Sequence, residues 1–458
     1  MTDSRKIHKS LDISWKEGIP ASVMLGIVDY YIVPLGLFLG ASTQQIGFLV
    51  AIPQLMASIA QLFAVRAVRS AGNRLRFLVI SAALQAVLLI PISLLPLLSL
   101  PYQIAILIAL MISFRVLGNL IATAWGSLVS DYLPAHKRGH YFGWRSQVVG
   151  IAALASIGAA GVILFFMKQV LPALGFFTIF FAASACRFTS VWLLSKMTDL
   201  PLHHSPESDF SFWDFVRRWR ESNFVKFVLF NAVMTFTTFL SAPYASVFIL
   251  RDLHFDYLSY MGIQVASVTS SLIAYPIWGK HADLVGNVKI LKITGSLIPV
   301  IPVLWLAAPL FHYNPIYFMM IEPFAGFVWG GFNLCSTNFI YDAVTPQKRV
   351  RCLSYFTLFN GISIFLGAAL GGYLANHLPA LFGFQLMSLF LFSCALRWIG
   401  YFTFSGLFKE VRENVSHASV SQIFLSIFGL SPLKGLSHSW GFFPKVDTGE
   451  KEIETKPE

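Results

Sequence analysis

The chain has 458 residues, 56% of them hydrophobic and only 12% charged, where a soluble globular domain carries about 25% charge. A mean hydropathy of +0.67 and repeated apolar runs of about 20 residues exclude a soluble enzyme or adaptor and indicate a polytopic membrane protein. The net charge of +11 would suggest a nucleic-acid partner in a soluble chain, but here its distribution along the chain assigns it to membrane topology.

In chain order, about 17 mostly polar residues with no cleavable signal pattern precede the first apolar run. Twelve spans follow: 18–40, 44–66, 74–96, 102–130, 142–167, 171–196, 223–250, 257–279, 288–310, 314–342, 350–375 and 379–407. Each is long enough to cross about 30 Å of hydrocarbon. Of the 33 Lys and Arg, 28 fall on the side of the N-terminus, the even-to-odd loops, the central linker and the tail. Only Lys168 and Arg251 fall on the other side, and Arg115, Arg187 and Arg397 lie within spans. This asymmetry predicts that both termini are cytoplasmic, and it explains the basic charge without nucleic acid. The four cysteines (Cys186, Cys335, Cys352 and Cys394) fall in or at the ends of spans, where no disulfide is expected. In the linker, 197–222, the portion Phe210–Arg220 reads as an amphipathic cytoplasmic segment. Residues 416–430 are too short and polar to span and suit the inner surface. The last dozen residues read as disordered.

The two halves repeat. Gly47 matches Gly262, Gly72-Asn73 matches Gly286-Asn287, Lys137-Arg138 matches Lys348-Arg349, and Arg187-Phe188 matches Arg397-Trp398, at offsets of 215, 214, 211 and 210. So small a drift argues for duplication of a six-helix unit. Between spans eight and nine lies Gly279-Lys280-His281-Ala282-Asp283-Leu284-Val285-Gly286-Asn287-Val288-Lys289. Its spacing is G-x-x-x-D-x-x-G-x-x-K, with both glycines suited to a tight reversal and close backbone approach. This stretch resembles the signature loop of the major facilitator superfamily of secondary transporters, and the resemblance covers 18–407. The loop of the first half departs from the pattern, with Arg69 at the place of Asp283 and Val65 at that of Gly279. The resemblance implies that Asp283 helps hold the cytoplasmic helix ends together in the outward-facing state. Asp131–Gly139 and Asp342–Arg349 resemble the family's loops after helices 4 and 10. Gly279, Asp283, Gly286, Arg138 and Arg349 are therefore candidate gating residues, and ordinary topology-setting charge is the alternative for the charged ones.

A carboxylate near mid-bilayer is costly and should face a cavity or a partner. Asp29 lies about 11 residues into helix 1. Arg115, in Arg115-Val-Leu-Gly118-Asn119, resembles the family's helix 4 motif, whose arginine has been tied to proton coupling. The resemblance places helices 1 and 4 on the central cavity, which makes Arg115 the expected partner of Asp29. A proton or anionic substrate could break such a pair and couple binding to rocking; a permanent structural pair is the other reading. Glu322, followed by Pro323 in helix 10, is a second candidate proton site or cation contact, or else a carboxylate reaching the outer interface. Asn119 completes the candidate substrate or proton set, although neutral polar residues in spans usually hold helices together. Arg187 and Arg397 are expected to reach structural partners at the rim rather than substrate.

No phosphate-cradling G-x-x-x-x-G-K-[ST] loop, H-E-x-x-H or paired C-x-x-C occurs, and no soluble segment is long enough for an enzyme domain. No cofactor, metal or catalytic role is expected. The expected fold is an all-α membrane protein with twelve transmembrane helices in two pseudo-symmetric six-helix halves. It divides into an N-terminus (1–17), a first half (18–196), a linker (197–222), a second half (223–407) and a cytoplasmic tail (408–458). The expected function is secondary active transport of a small solute across the inner (cytoplasmic) membrane by a monomer. The mechanism would be rocker-switch alternating access with protons as the coupling partner, in contact with the lipid bilayer and without nucleic acid. A non-transporting sensor or scaffold on the same fold is the alternative, and a lipid-modifying membrane enzyme is a more remote one.

Overall fold

The computed structural model describes residues 2–133, 135–200, 212–412, 415 and 418–427. Residues 201–211 of the linker and the terminal segment read as disordered lie outside them. The first half comprises α1 (Thr2–Phe38), α2 (Thr43–Gln61) with its short continuation α3 (Ala64–Ser70), α4 (Arg74–Leu94), α5 (Gln103–Asp131), α6 (Ala135–Lys168) and α7 (Pro172–Leu194). A connector, α8 (Phe212–Arg217), leads to the second half. That half comprises α9 (Asn223–Phe239) continued by α10 (Ala242–Val247), α11 (Tyr257–Val285), α12 (Asn287–Leu297) continued by α13 (Val300–Leu306), α14 (Pro315–Ala343), α15 (Pro346–His377) and α16 (Gln385–Phe404). A tail helix, α17 (Val420–Ile427), follows. The described chain is thus all-helical, with a single isolated bridge at Leu381 and Phe384.

Among the described residues, nine helical segments are long and apolar enough to cross a membrane. The predicted spans on α2, α11 and α14 are not among them, although α11 and α14 have 29 residues each. Their composition explains this. α11 carries Gln264, Ser267, Ser270 and Ser271, and α14 carries Gly326, Gly330 and Gly331. These residues face one another: Ser270 Oγ donates to Pro323 O at 2.6 Å, Ser271 Oγ to Gly326 O at 2.8 Å and Trp278 Nε1 to Phe327 O at 2.9 Å. Side chains of α11 thus serve carbonyls near Pro323, which cannot donate within its own helix.

Two elements extend beyond their sequence-based bounds. The helix holding the first predicted span begins at Thr2, so the polar stretch before residue 18 continues α1. The helix of the eighth span runs to Val285 and takes up Gly279. The reversal falls on Gly286 alone, at φ +86° in the left-handed region where glycine is unstrained.

The core is shared unevenly. One buried cluster joins both halves at the end distal to the termini, from Val28 and Leu49 through Phe180 to Tyr244, Tyr260 and Phe390. At the terminal end it gives way to two separate clusters. One belongs to the first half, around Leu78, Leu128 and Leu194. The other belongs to the second half, around Phe227, Trp278, Phe339 and Phe408, with Leu62 of the first half packed at its margin. The distal seam is tight: Tyr244 Oη donates to Ala368 O and lies where a Cβ on Gly47 would fall. Arg251 reaches Thr43 Oγ1 across the same seam at 2.7 Å.

Candidate functional site

Asp29 on α1 and Arg115 on α5 form an ion pair at 2.6 Å, roughly one-third exposed on each side chain. The pair stands at the join between the halves. Its neighbour Tyr30 accepts a hydrogen bond through its carbonyl from Tyr260 Oη of α11 at 2.8 Å. Tyr31 donates to Ile157 O at 2.6 Å and meets the Tyr260 ring edge-on. Asn119, one turn beyond Arg115, donates to Ala57 O of α2 at 3.0 Å. The structure therefore brings Asp29 and Arg115 together and gives the Asn119 amide to helix packing.

Glu322 lies in the other half. Trp305 Nε1 donates to it at 3.0 Å, and it also hydrogen-bonds the Ser267 side chain. It lines a cavity of about 250 Å³ within the second half, walled by α9–α10, α11, α13, α14 and α16. Ser246 in its wall lies 3.3 Å from Tyr260 Oη, which reaches the Tyr30 carbonyl, so the cavity adjoins the seam.

At the terminal end, the predicted gating residues of the second half meet the tail. Asp283 receives Arg412 NH1 at 3.3 Å, and Asp342 receives Arg412 Nε at 2.8 Å and Asn287 Nδ2 at 2.7 Å. Glu410 accepts from the Val288 amide at 2.8 Å and fills the space beside Gly286. Burial disfavours the Arg412 charge, but the Asp342 and Asp283 carboxylates outweigh it and hold the guanidinium above its ordinary pKa. Gly279, inside α11, has only Leu334 near its Cβ position. Arg349 donates to Tyr341 O at 3.1 Å and stacks on the Tyr341 ring. Arg138 lies in the first turn of α6, and its side chain, like that of Arg69, is outside the described residues.

Three functional-looking groups escaped the sequence reading. Glu17 is buried between Arg145, at 3.5 Å, and Arg187, at 3.9 Å, and accepts from Ser190 Oγ at 2.8 Å. Counting the first span from its apolar start left Glu17 outside it. Arg74 donates to Asp131 at 2.7 Å, Ser127 at 2.9 Å and Leu200 O at 2.9 Å. Arg412 carries the corresponding duty in the second half from the tail. Its one sequence signal is the Glu410-Val-Arg412 alternation directly after the last apolar run.

Residues 227–443 match the family model described as Major Facilitator Superfamily. No curated protein sequence matches the chain. Among solved structures, a mutant of the nucleoside transporter NupG superposes with a TM-score of 0.68 at 11% identity, covering 87% of this chain and 100% of that one. The D-xylose-proton symporter gives 0.64 at 13% identity, over 90% of this chain and 99% of that one. A bacterial homologue of the iron transporter ferroportin, in an inward-facing state, gives 0.63 at 12% identity over 86% and 98%. At these identities the likeness is one of fold. The family model thus covers the second half and part of the tail, and over most of its length the chain shares the fold of these transporters.

Proposed function

We propose that the protein is a secondary active transporter of a small solute, acting as a monomer in the inner membrane by rocking of its two halves. On this reading α2, α11 and α14 are the remaining three of twelve spans, both termini are cytoplasmic, and the split core faces the cytoplasm in an inward-open conformer. The observation that carries it is the Asp29–Arg115 pair at 2.6 Å, beside a seam whose apolar core is continuous between the halves at one end and divided into two clusters at the other. Such a pair is stable while unoccupied and opens when a proton or a charged solute takes one partner. Asp29 and Arg115 are then the coupling pair, Asn119 fixes α5 against α2, and Glu322 is a second proton or cation contact. Gly279, Asp283, Gly286, Arg138 and Arg349 belong to the cytoplasmic gate. The structural neighbours are named for unlike cargo, a nucleoside and xylose with a proton, so the solute of this chain is left open. The mechanism calls for no cofactor, catalytic residue or nucleic acid.

Solute uptake into vesicles with an imposed pH gradient tests the proposal. Asp29→Asn should abolish gradient-driven flux while leaving melting within a few degrees of wild type, because a part-exposed pair contributes only about 0–1 kcal/mol. Undiminished gradient-driven flux in that variant would overturn the coupling role. A wild type that carries no solute of a broad panel, yet binds one, would favour the sensor.

A further inference from the structure

The duplication put an arginine at matching places in the two halves, but only one has a counter-charge. Arg187 faces Glu17. Arg397 is 4% exposed and has four neutral partners: Ser393 Oγ at 3.1 Å, Ile298 O at 3.4 Å, Thr238 O at 3.4 Å and Ser241 Oγ at 2.9 Å. At the repeat offsets of 210–215, the counterpart of Glu17 falls among Phe227–Ala232, which contains no acid. Guanidinium stays ionised when buried, and dipoles offset its desolvation less well than a carboxylate does. Where the missing acid would provide a charge, Arg397 borders the cavity.

The same cavity has a carboxylate in its wall. Glu322 is held by neutral donors, Trp305 Nε1 and Ser267, and no ion pair joins it to Arg397 or to any other cation among the described residues. It sits about two turns into α14 from the distal end, whereas Arg397 sits more than three turns into α16 from that end. Acid and base therefore face one space from different depths. Trp305, Trp329 and Phe390 supply aromatic surface to that space, and indole faces favour cations. At about 30 Å³ per water, a volume of 250 Å³ holds about eight waters, or one solute of similar heavy-atom count.

We infer that this cavity binds a small zwitterion, with its carboxylate on Arg397 and Ser241 and its ammonium between Glu322 and the Trp305 ring. Each ligand charge supplies the partner that the protein omits, and neither wall charge is left uncompensated. The inference rests on Glu322 as a cation contact, as proposed above, but not on the Asp29–Arg115 pair.

The test is calorimetric titration of the purified full-length protein at pH 7 with glycine, β-alanine and glycine betaine, against acetate and tetramethylammonium as single-charge controls. At least one zwitterion should bind saturably, and at least tenfold more tightly than either control. Glu322→Gln, which keeps the shape of the wall, should weaken that zwitterion at least tenfold, and Ala325→Leu, which fills the cavity, should do the same. Trp192→Leu, on the exposed surface of α7, should leave the affinity unchanged. Acetate binding as tightly as the zwitterions would reduce the site to an anion site and overturn the inference. So would the absence of binding by all three zwitterions, or an affinity indifferent to Glu322→Gln.

Discussion

The two halves share a layout but complete their charges differently. Among the described residues of the first half, each buried charge is answered from within. Arg187 and Arg145 have Glu17, and Asp131 has Arg74, which is 1% exposed. In the second half Arg397 faces serines, carbonyls and a cavity, and Asp342 is answered by Arg412 from beyond the last span. The charges stand at matching places, but the second half completes them differently, Asp342 from the tail at the rim and Arg397 from neutral groups beside the cavity. That difference teaches that pseudo-symmetry of positions does not imply symmetry of stability. On the reading proposed above, the second half is the one open to a ligand, and its rim is answered by its own tail.

The largest expected effect comes from breaking the closed circuit. Glu17→Ala leaves the buried Arg187 and the part-buried Arg145 without a carboxylate, and removing one member of a buried charged set costs about 3–5 kcal/mol. Thermal unfolding in detergent should show a large drop, or no folded protein at all. Glu17→Ala with Arg187→Met should recover part of it. A melting temperature within a degree of wild type for Glu17→Ala alone would show that Arg145 and Arg187 do not depend on it.

Next is the comparison at the rim. Arg74→Ala removes a buried guanidinium with three partners and should cost about 2–3 kcal/mol. Arg412 is one-third exposed and one of its carboxylates, Asp283, is largely exposed, so Arg412→Ala should cost less than about 1 kcal/mol. Its effect should instead appear as faster hydrogen exchange in 418–427. Equal losses of stability for the two variants would erase the proposed asymmetry.

The seam between the halves offers a third test. A side chain at Gly47 would meet Tyr244 and the Ala368 carbonyl, so Gly47→Leu should pry the distal end open and move the population toward the opposite-facing state. Distances between spin labels on the distal ends of α2 and α15 should lengthen. Unchanged distances would mean that the seam does not set the conformer.

Much of this architecture was legible in the sequence. Apolar run length gave the helices, and the Gly72-Asn73 and Gly286-Asn287 landmarks marked reversals, because a turn that needs left-handed φ tolerates little but glycine. The Asp29–Arg115 pair was legible because charges within spans are few and must find each other. Glu17 was not, because helix continuity past an apolar boundary depends on packing against Arg145 and Arg187, more than 120 residues away. The partners of Asp283 were not legible either. The motif predicts a gate carboxylate, but nothing local says that residue 412 folds back to meet it. Likewise Glu322 could be placed at the right depth from its helix position, whereas its cavity is made by five segments that no single stretch describes.

The smallest expected effect concerns how the tail is held. His281 donates from Nδ1 to the Ile277 carbonyl at 2.8 Å, which leaves Nε2 to accept from Ser426 of α17 at 3.1 Å. Burial disfavours its charged form, and the neighbouring Lys280 adds repulsion, so its pKa with the tail docked is below the ordinary 6.5. A base with a lowered pKa in the docked state binds fewer protons there than when released. Docking is thus at full strength above about pH 6.5 and weakens as the pH falls below it. Hydrogen exchange of 420–427 should accelerate between pH 7.5 and 5.5, after correction for the intrinsic exchange rate. His281→Gln, which keeps an acceptor without a titrating ring, should flatten that dependence. Arg412→Ala should speed exchange equally at both pH values, because its guanidinium does not titrate in this range. A pH dependence that survives His281→Gln would assign the response to another group, and a tail already released at pH 7.5 would remove the strap from the second half altogether.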